Sequence, residues 1–277
     1  MNYKRAFCFG CSWTHYNWPT WADILEKDLD IPVQNWGIGG LGNVGIFCRM
    51  VQCNIINKFT DEDLIIVLWS GWTREDRYLN GRWHNMGNVH KQTNDSIYDS
   101  NFIDKFWDWG NDIIKNSTAI ISANKMFPIF KNFSIIPMNS PEDIIIAKGN
   151  WAENEMIEFY FKDFPKIKQF NKPKPKSKIY NLSHSEIHPD IIAHSNFVKD
   201  EIYSKLNITM KSTTEKDVQS YQNAILKKLT KETVEKGGKL TVSGRYNIAD
   251  SLWESNNWKK YPHHDWCSSN ITAKYTI

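Results

Sequence analysis

The chain has 277 residues, 41% of them hydrophobic and 23% charged, a globular balance that excludes wholesale disorder. With 34 basic and 31 acidic side chains the net charge is +3, too even for nucleic-acid binding through a general field. A mean hydropathy of -0.54 and the lack of an apolar run of about 18 residues predict neither a membrane span nor a membrane partner.

Five cysteines, Cys8, Cys11, Cys48, Cys53 and Cys267, are too few and too scattered for a disulfide framework. The N-terminus up to Cys8 is too short and too strand-like for a signal peptide, so a protein made in the reducing cytoplasm is expected. Thirteen tryptophans imply ring-stacking surfaces, interfaces or a heavy core.

In chain order, Ala6–Phe9 ending at Gly10 reads as a buried parallel strand. Pro19 near the first turn, with Trp21, Leu25 and Leu29 on one face, predicts an amphipathic helix, and Pro32–Trp36 is a second strand. The glycine cluster Gly37, Gly39, Gly40 and Gly42 leads into a helix carrying Val44, Phe47, Cys48, Val51 and Ile55. Leu64–Trp69 is the strongest strand, followed by a polar, aromatic stretch to about Ser100 without a readable pattern. Residues from Ile103 to Ile121 predict one long helix, and Phe133–Pro137 a fourth strand. A helix around Trp151–Phe161, a Pro/Lys loop at Lys172–Lys178 and a helix from Pro189 to about Leu206 complete an α/β pattern. The composition changes near Asn207. Beyond it Val218, Tyr221, Ile225 and Leu229 mark a helix ending at Gly237-Gly238, and the Trp-rich tail lacks periodicity.

Three short constellations fall where an open parallel sheet gathers its ligands, at strand-to-helix junctions. Ser12 lies in the turn Phe9-Gly-Cys-Ser-Trp-Thr14, as a raised hydroxyl or a helix cap. The cluster at Gly37–Gly42 contains G-x-G-x-x-G, yet the next strand ends in Trp69-Ser-Gly-Trp72 rather than in a ribose-binding acid. His188-Pro189 stands before a helix, with Glu186 and Asp190 close by. Cys8-x-x-Cys11 is formally a redox motif, but its first cysteine lies within a strand instead of at a helix N-terminus. Cys48 and Cys53 face different ways on a helix, and His263-His264-Asp265 with Cys267 are near-consecutive, so neither set predicts a metal site.

Taken together, over roughly residues 4 to 206 and in family order, these blocks resemble the SGNH (GDSL-like) hydrolases, most closely divergent members common in phage genomes. Phe9-Gly-Cys-Ser-Trp13 resembles the first block, Asn35-Trp-Gly-Ile-Gly-Gly40 the second, Asp63–Trp69 with Ser70–Arg74 the third, and Ser185-Glu-Ile-His-Pro189 the last. The resemblance implies a three-layer α/β/α sandwich around a parallel sheet, flavodoxin-like in build, over residues 1–207. Residues 208–277 are then an extension that buries its apolar stripe on the sandwich or on another chain, favouring an interface with a protein partner or a second copy. It further implies Ser12 as nucleophile, His188 as general base, and an oxyanion hole from the Ser12 and Gly40 amides. No cofactor or metal is implied.

Two family positions differ. The third-block asparagine is missing near Trp72, where Asn43 or the Trp72 indole would have to substitute, and the last-block aspartate is Ser185, leaving Glu186 to orient the imidazole. The expected activity is hydrolysis of a small-molecule or carbohydrate ester, for example an O-acyl group on a sugar. The alternative is a catalytically degenerate SGNH scaffold with a structural or adhesion role, assembled into a phage virion.

Overall fold

The computed structural model describes residues 3–71, 74–79, 82–88, 100–127, 133–137, 188–235 and 242–259. The strands are β1 (Arg5–Gly10), β2 (Val33–Asn35), β3 (Asp63–Trp69), β4 (Arg74–Leu79), β5 (Arg82–Asn88) and β6 (Phe133–Pro137). The main helices are α1 (Trp21–Asp28), α2 (Asn43–Asn57), α3 (Ser100–Phe106), α4 (Trp109–Met126), α5 (Ile191–Phe197), α6 (Ser212–Glu235) and α7 (Val242–Asp250). From α5 the chain continues as a π-helical stretch, Val198–Tyr203, and a last turn, Ser204–Leu206.

The central sheet has the order β2-β1-β3-β6, and every pairing in it is parallel. β1 and β3 are buried almost throughout, as an apolar run covered on both faces requires. Side chains alternate across the sheet. On one face Phe7 and Phe9 meet Phe59, which in turn packs on Phe127 at the end of α4. The other face receives α1, with α5 packed on α1 and α6 on α5. Two helical layers therefore enclose a parallel sheet, the sandwich that the resemblance implies. Arg5 and Asp63, paired in register across β1 and β3, close the bottom of the sheet with two hydrogen bonds of 2.8 and 2.7 Å.

Pro19 stands next to the first turn of α1, where Thr20 caps the helix in a box with Asp23, whose carboxylate accepts from the Thr20 N–H at 2.7 Å. The structure revises other sequence expectations. The single long helix expected over 103–121 is two, because Asp108 caps α4 by accepting from the Asn111 N–H. The unreadable stretch after Trp69 contains the antiparallel pair β4–β5, and the tail contains α7 and a 3-10 turn, Glu254–Asn256. The stripe Val218, Tyr221, Ile225 and Leu229 is buried in the same apolar cluster as the sheet, together with Ile248, Ala249, Trp253 and Trp258. The helix expected at Trp151–Phe161, the Lys172–Lys178 loop and the glycine pair at 237–238 lie outside the described residues. Among the described residues no helix is long and apolar enough to cross a membrane.

Candidate active site

Gly10 ends β1 where a side chain has no room: a Cβ there would stand 2.0 Å from Thr14 Oγ1 and 2.8 Å from the Leu68 carbonyl oxygen. The chain then turns tightly, with the Thr14 and His15 N–H groups both donating to the Cys11 carbonyl. Ser12 rides on that turn, 6% exposed. Its Oγ lies 2.9 Å from His188 Nε2, although the two residues are 176 positions apart.

The turn is pinned from several sides. The Thr14 carbonyl accepts from Thr20 Oγ1 at 2.6 Å and from Asn35 Nδ2 at 2.8 Å, while Asn35 Oδ1 accepts from the Gly37 N–H. Asn35 thus couples the serine turn to the glycine loop, a role its place at the end of β2 does not advertise. On the histidine side, the Trp18 indole donates to the Pro189 carbonyl at 2.8 Å. Asp190 caps α5 through the Ala193 N–H and accepts from Gln222 of α6. Tyr16 stacks on the His188 ring. Sequence patterns give no signal for Tyr16, Trp18 or Gln222, because each acts through a contact made only in the fold.

The glycine loop runs beside β1: the Trp36 N–H donates to the Cys8 carbonyl and the Ile38 N–H to the Gly10 carbonyl. Gly40 has φ of 80°, a left-handed conformation that favours glycine. Asn43 is buried and tied to Ser70, its Oδ1 accepting from the Ser70 N–H at 2.7 Å and its Nδ2 donating to the Ser70 carbonyl at 3.2 Å. It fastens the start of α2 to the end of β3. At the N-terminus of α2 the Gly42 and Gly45 N–H groups each donate to the Asp76 carboxylate at 2.8 Å. A dinucleotide bound through G-x-G-x-x-G would need those donors for its pyrophosphate, and the chain's own anion holds them. Burial pushes the Asp76 carboxyl up to about 6 against the pull of the two N–H groups.

The remaining candidates separate from this site. Cys8 lies inside β1 with its thiol pushed well above the usual range by burial, and it is a free cysteine, as are Cys48 and Cys53. Among the described residues no three histidine, cysteine or acidic side chains gather as metal ligands. His194, buried one turn along α5, is held down to about 3 by desolvation and then by the nearness of His188, so it stays neutral. Trp72, Ser185, Glu186, His263, His264, Trp266 and Cys267 lie outside the described residues.

No family model and no curated protein matches the chain. Solved structures do. The chain is similar to a lipolytic protein of the G-D-S-L family from Veillonella parvula, at 12% identity and a TM-score of 0.38, covering 73% of this chain and 98% of that one. An acetyl xylan esterase from Butyrivibrio proteoclasticus matches at 15% identity and a TM-score of 0.40, covering 74% of this chain and 64% of that one. A GDSL-like lipase from Bacteroides thetaiotaomicron matches at 15% identity and a TM-score of 0.37, covering 74% and 88%. At these scores the chemistry of the site is read from the chain's own residues.

Proposed function

We propose that the chain is a serine ester hydrolase of SGNH type. The observation that carries this reading is the 2.9 Å contact between Ser12 Oγ and His188 Nε2, made at the end of the sheet where open α/β folds bind ligands. With Nε2 unprotonated, Ser12 Oγ attacks the ester carbonyl while its proton passes to Nε2. The tetrahedral oxyanion is held by the backbone N–H groups of Ser12 and Gly40, with Asn43 fixing the wall of the hole through Ser70. The imidazolium returns its proton to the departing alcohol oxygen, leaving an acyl-Ser12. Water, giving a proton to the same Nε2, then releases the acid and restores the hydroxyl. Glu186, two residues before His188, is the proposed orienting acid, and the proposed substrate class is an O-acylated carbohydrate.

Fluorophosphonate labelling and p-nitrophenyl acetate hydrolysis test the reading. Wild type is expected to label and to turn over, Ser12→Ala to do neither, and His188→Gln to fall by about 10⁴-fold or more in kcat. A wild-type protein that neither labels nor hydrolyses the ester refutes it.

A further inference from the structure

We infer that Tyr16 and Tyr246 are positioning residues for His188, so that α7, in the C-terminal extension, forms part of the active site; this rests on the reading of Ser12 and His188 as the reacting pair.

The Tyr16 ring lies against the imidazole of His188 with centroids 3.8 Å apart and planes 22° apart. A ring held flat on one face cannot swing about its side-chain torsions without losing that contact, so the stack sets the direction in which Nε2 points. It points at Ser12. Ser12 and Tyr16 belong to the same short segment after β1, so one stretch of chain carries both the hydroxyl and the surface that aims its partner.

Tyr16 is itself fixed from two other directions. Its hydroxyl and that of Tyr246 meet at 2.9 Å, and the two rings make an edge contact at 5.6 Å and 82°. Trp18 meets it edge-on at 4.5 Å and 78°. Behind Tyr246, α7 is anchored by Tyr221, whose hydroxyl donates to the Ala249 carbonyl at 3.0 Å. The Trp253 indole donates to the carbonyl of Asn17, the residue next to Tyr16. Tyr16, His188 and Tyr246 are all only half-buried, so these contacts belong to the rim of the site, away from the apolar core. A hydroxyl-to-hydroxyl bond there adds nothing to core packing. It does set the place of a ring whose angle decides the serine–histidine geometry, and misplacement by about 1 Å can cost 10²-fold in rate.

The test compares full-length wild type with Tyr16→Leu, Tyr16→Phe and Tyr246→Phe. Three quantities are read: kcat and KM on p-nitrophenyl acetate, the His188 ring resonances assigned by their loss in His188→Gln, and thermal melts. In wild type the face of Tyr16 shields the His188 ring protons. Tyr16→Leu is expected to move them downfield and to lower kcat about tenfold or more, with KM within about twofold. Tyr16→Phe keeps the ring, so it is expected to keep the shielded resonances and to recover most of kcat. Tyr246→Phe removes one hydroxyl and is expected to lower kcat by a smaller factor with the fold intact. Unmoved His188 resonances in Tyr16→Leu, or a Tyr16→Phe variant as impaired as Tyr16→Leu, overturn the inference. Should Tyr16→Leu fail to fold, unchanged kcat and unchanged ring resonances in Tyr246→Phe overturn it. A wild type without esterase activity refutes the proposed function instead, and the ring resonances still decide whether Tyr16 places His188.

Discussion

Trp18 and Pro189, 171 positions apart, are joined by a 2.8 Å hydrogen bond from the indole N–H to the prolyl carbonyl. The bond ties the segment after Ser12 to the segment that carries His188. Trp18 is 2% exposed, so water cannot readily replace either partner. Trp18→Phe keeps most of the packing and strands that carbonyl, an expected cost of about 1–3 kcal/mol. Urea unfolding should show the loss, and kcat should fall more than KM changes, because the histidine segment is what loosens.

The half-buried carboxylate of Asp76 gives a sharper test. It faces two N–H donors, and an amide in its place would present one donor to another. Asp76→Asn is therefore expected to destabilise by about 1–3 kcal/mol despite its near-identical shape. A variant as stable as wild type in urea would show that the carboxylate is dispensable at the start of α2.

How much of this was legible in the sequence depends on whether a feature is local. Leu64–Trp69 reads as a buried strand because a parallel strand covered on both faces is apolar at successive positions. Ser12 and His188 stand out because glycine and proline punctuate the junctions where a parallel sheet collects its loops. The β4–β5 pair, with segments such as Arg-Glu-Asp-Arg-Tyr-Leu, carries no apolar alternation, so nothing announces a strand. Asp108 looks like any polar residue inside a helical pattern until its side chain is seen capping α4. The contact of Tyr16 with Tyr246, 230 positions apart, has no local signature at all.

Asp23 predicts how stability varies with pH. Burial pushes its carboxyl from the ordinary 3.8 up to about 6, opposed by the hydrogen bonds from Thr20. Because the folded protein holds this proton more tightly than the unfolded chain, the linked stabilisation is full below about pH 4 and is lost as pH rises through about 6. Asp23→Asn does not titrate. The stability of wild type relative to this variant should therefore fall between pH 4 and pH 7 by on the order of 2 kcal/mol. Urea unfolding at four pH values measures it, and a flat difference would contradict the raised carboxyl.

Gly10 tests the construction of the serine turn. An added Cβ meets Thr14 Oγ1 at 2.0 Å and the Leu68 carbonyl oxygen at 2.8 Å. Thr14 is fully buried and the second clash is with backbone, so neither can simply move aside. Gly10→Ala is expected to cost about 1–3 kcal/mol or more and to displace Ser12, lowering kcat. Adding Thr14→Ala removes the first clash and leaves the second. The double variant should therefore recover only part of the melting temperature, and full recovery would mean that the β3 backbone yields easily.

The chain beyond Leu206 decides whether the sandwich stands alone. Val218, Tyr221, Ile225 and Leu229 are each no more than 2% exposed, and α6 packs on α5 and α1 in the layer beneath the histidine. Lys211 and Tyr203 converge on the two oxygens of Asp28 at 2.9 and 2.7 Å, so the link into α6 is itself stitched to α1. Each fully buried side chain of this kind is worth about 1.5–3 kcal/mol. Four of them amount to about 6–12 kcal/mol, which matches the whole stability of an ordinary domain. Truncation after Leu206 is therefore expected to give insoluble or molten protein, with no cooperative melt and no fluorophosphonate labelling of Ser12. Light scattering and circular dichroism on the 1–206 fragment check it. A soluble fragment that melts cooperatively would mean that the extension is an attachment to a self-sufficient sandwich, leaving its apolar face for a second copy or a protein partner.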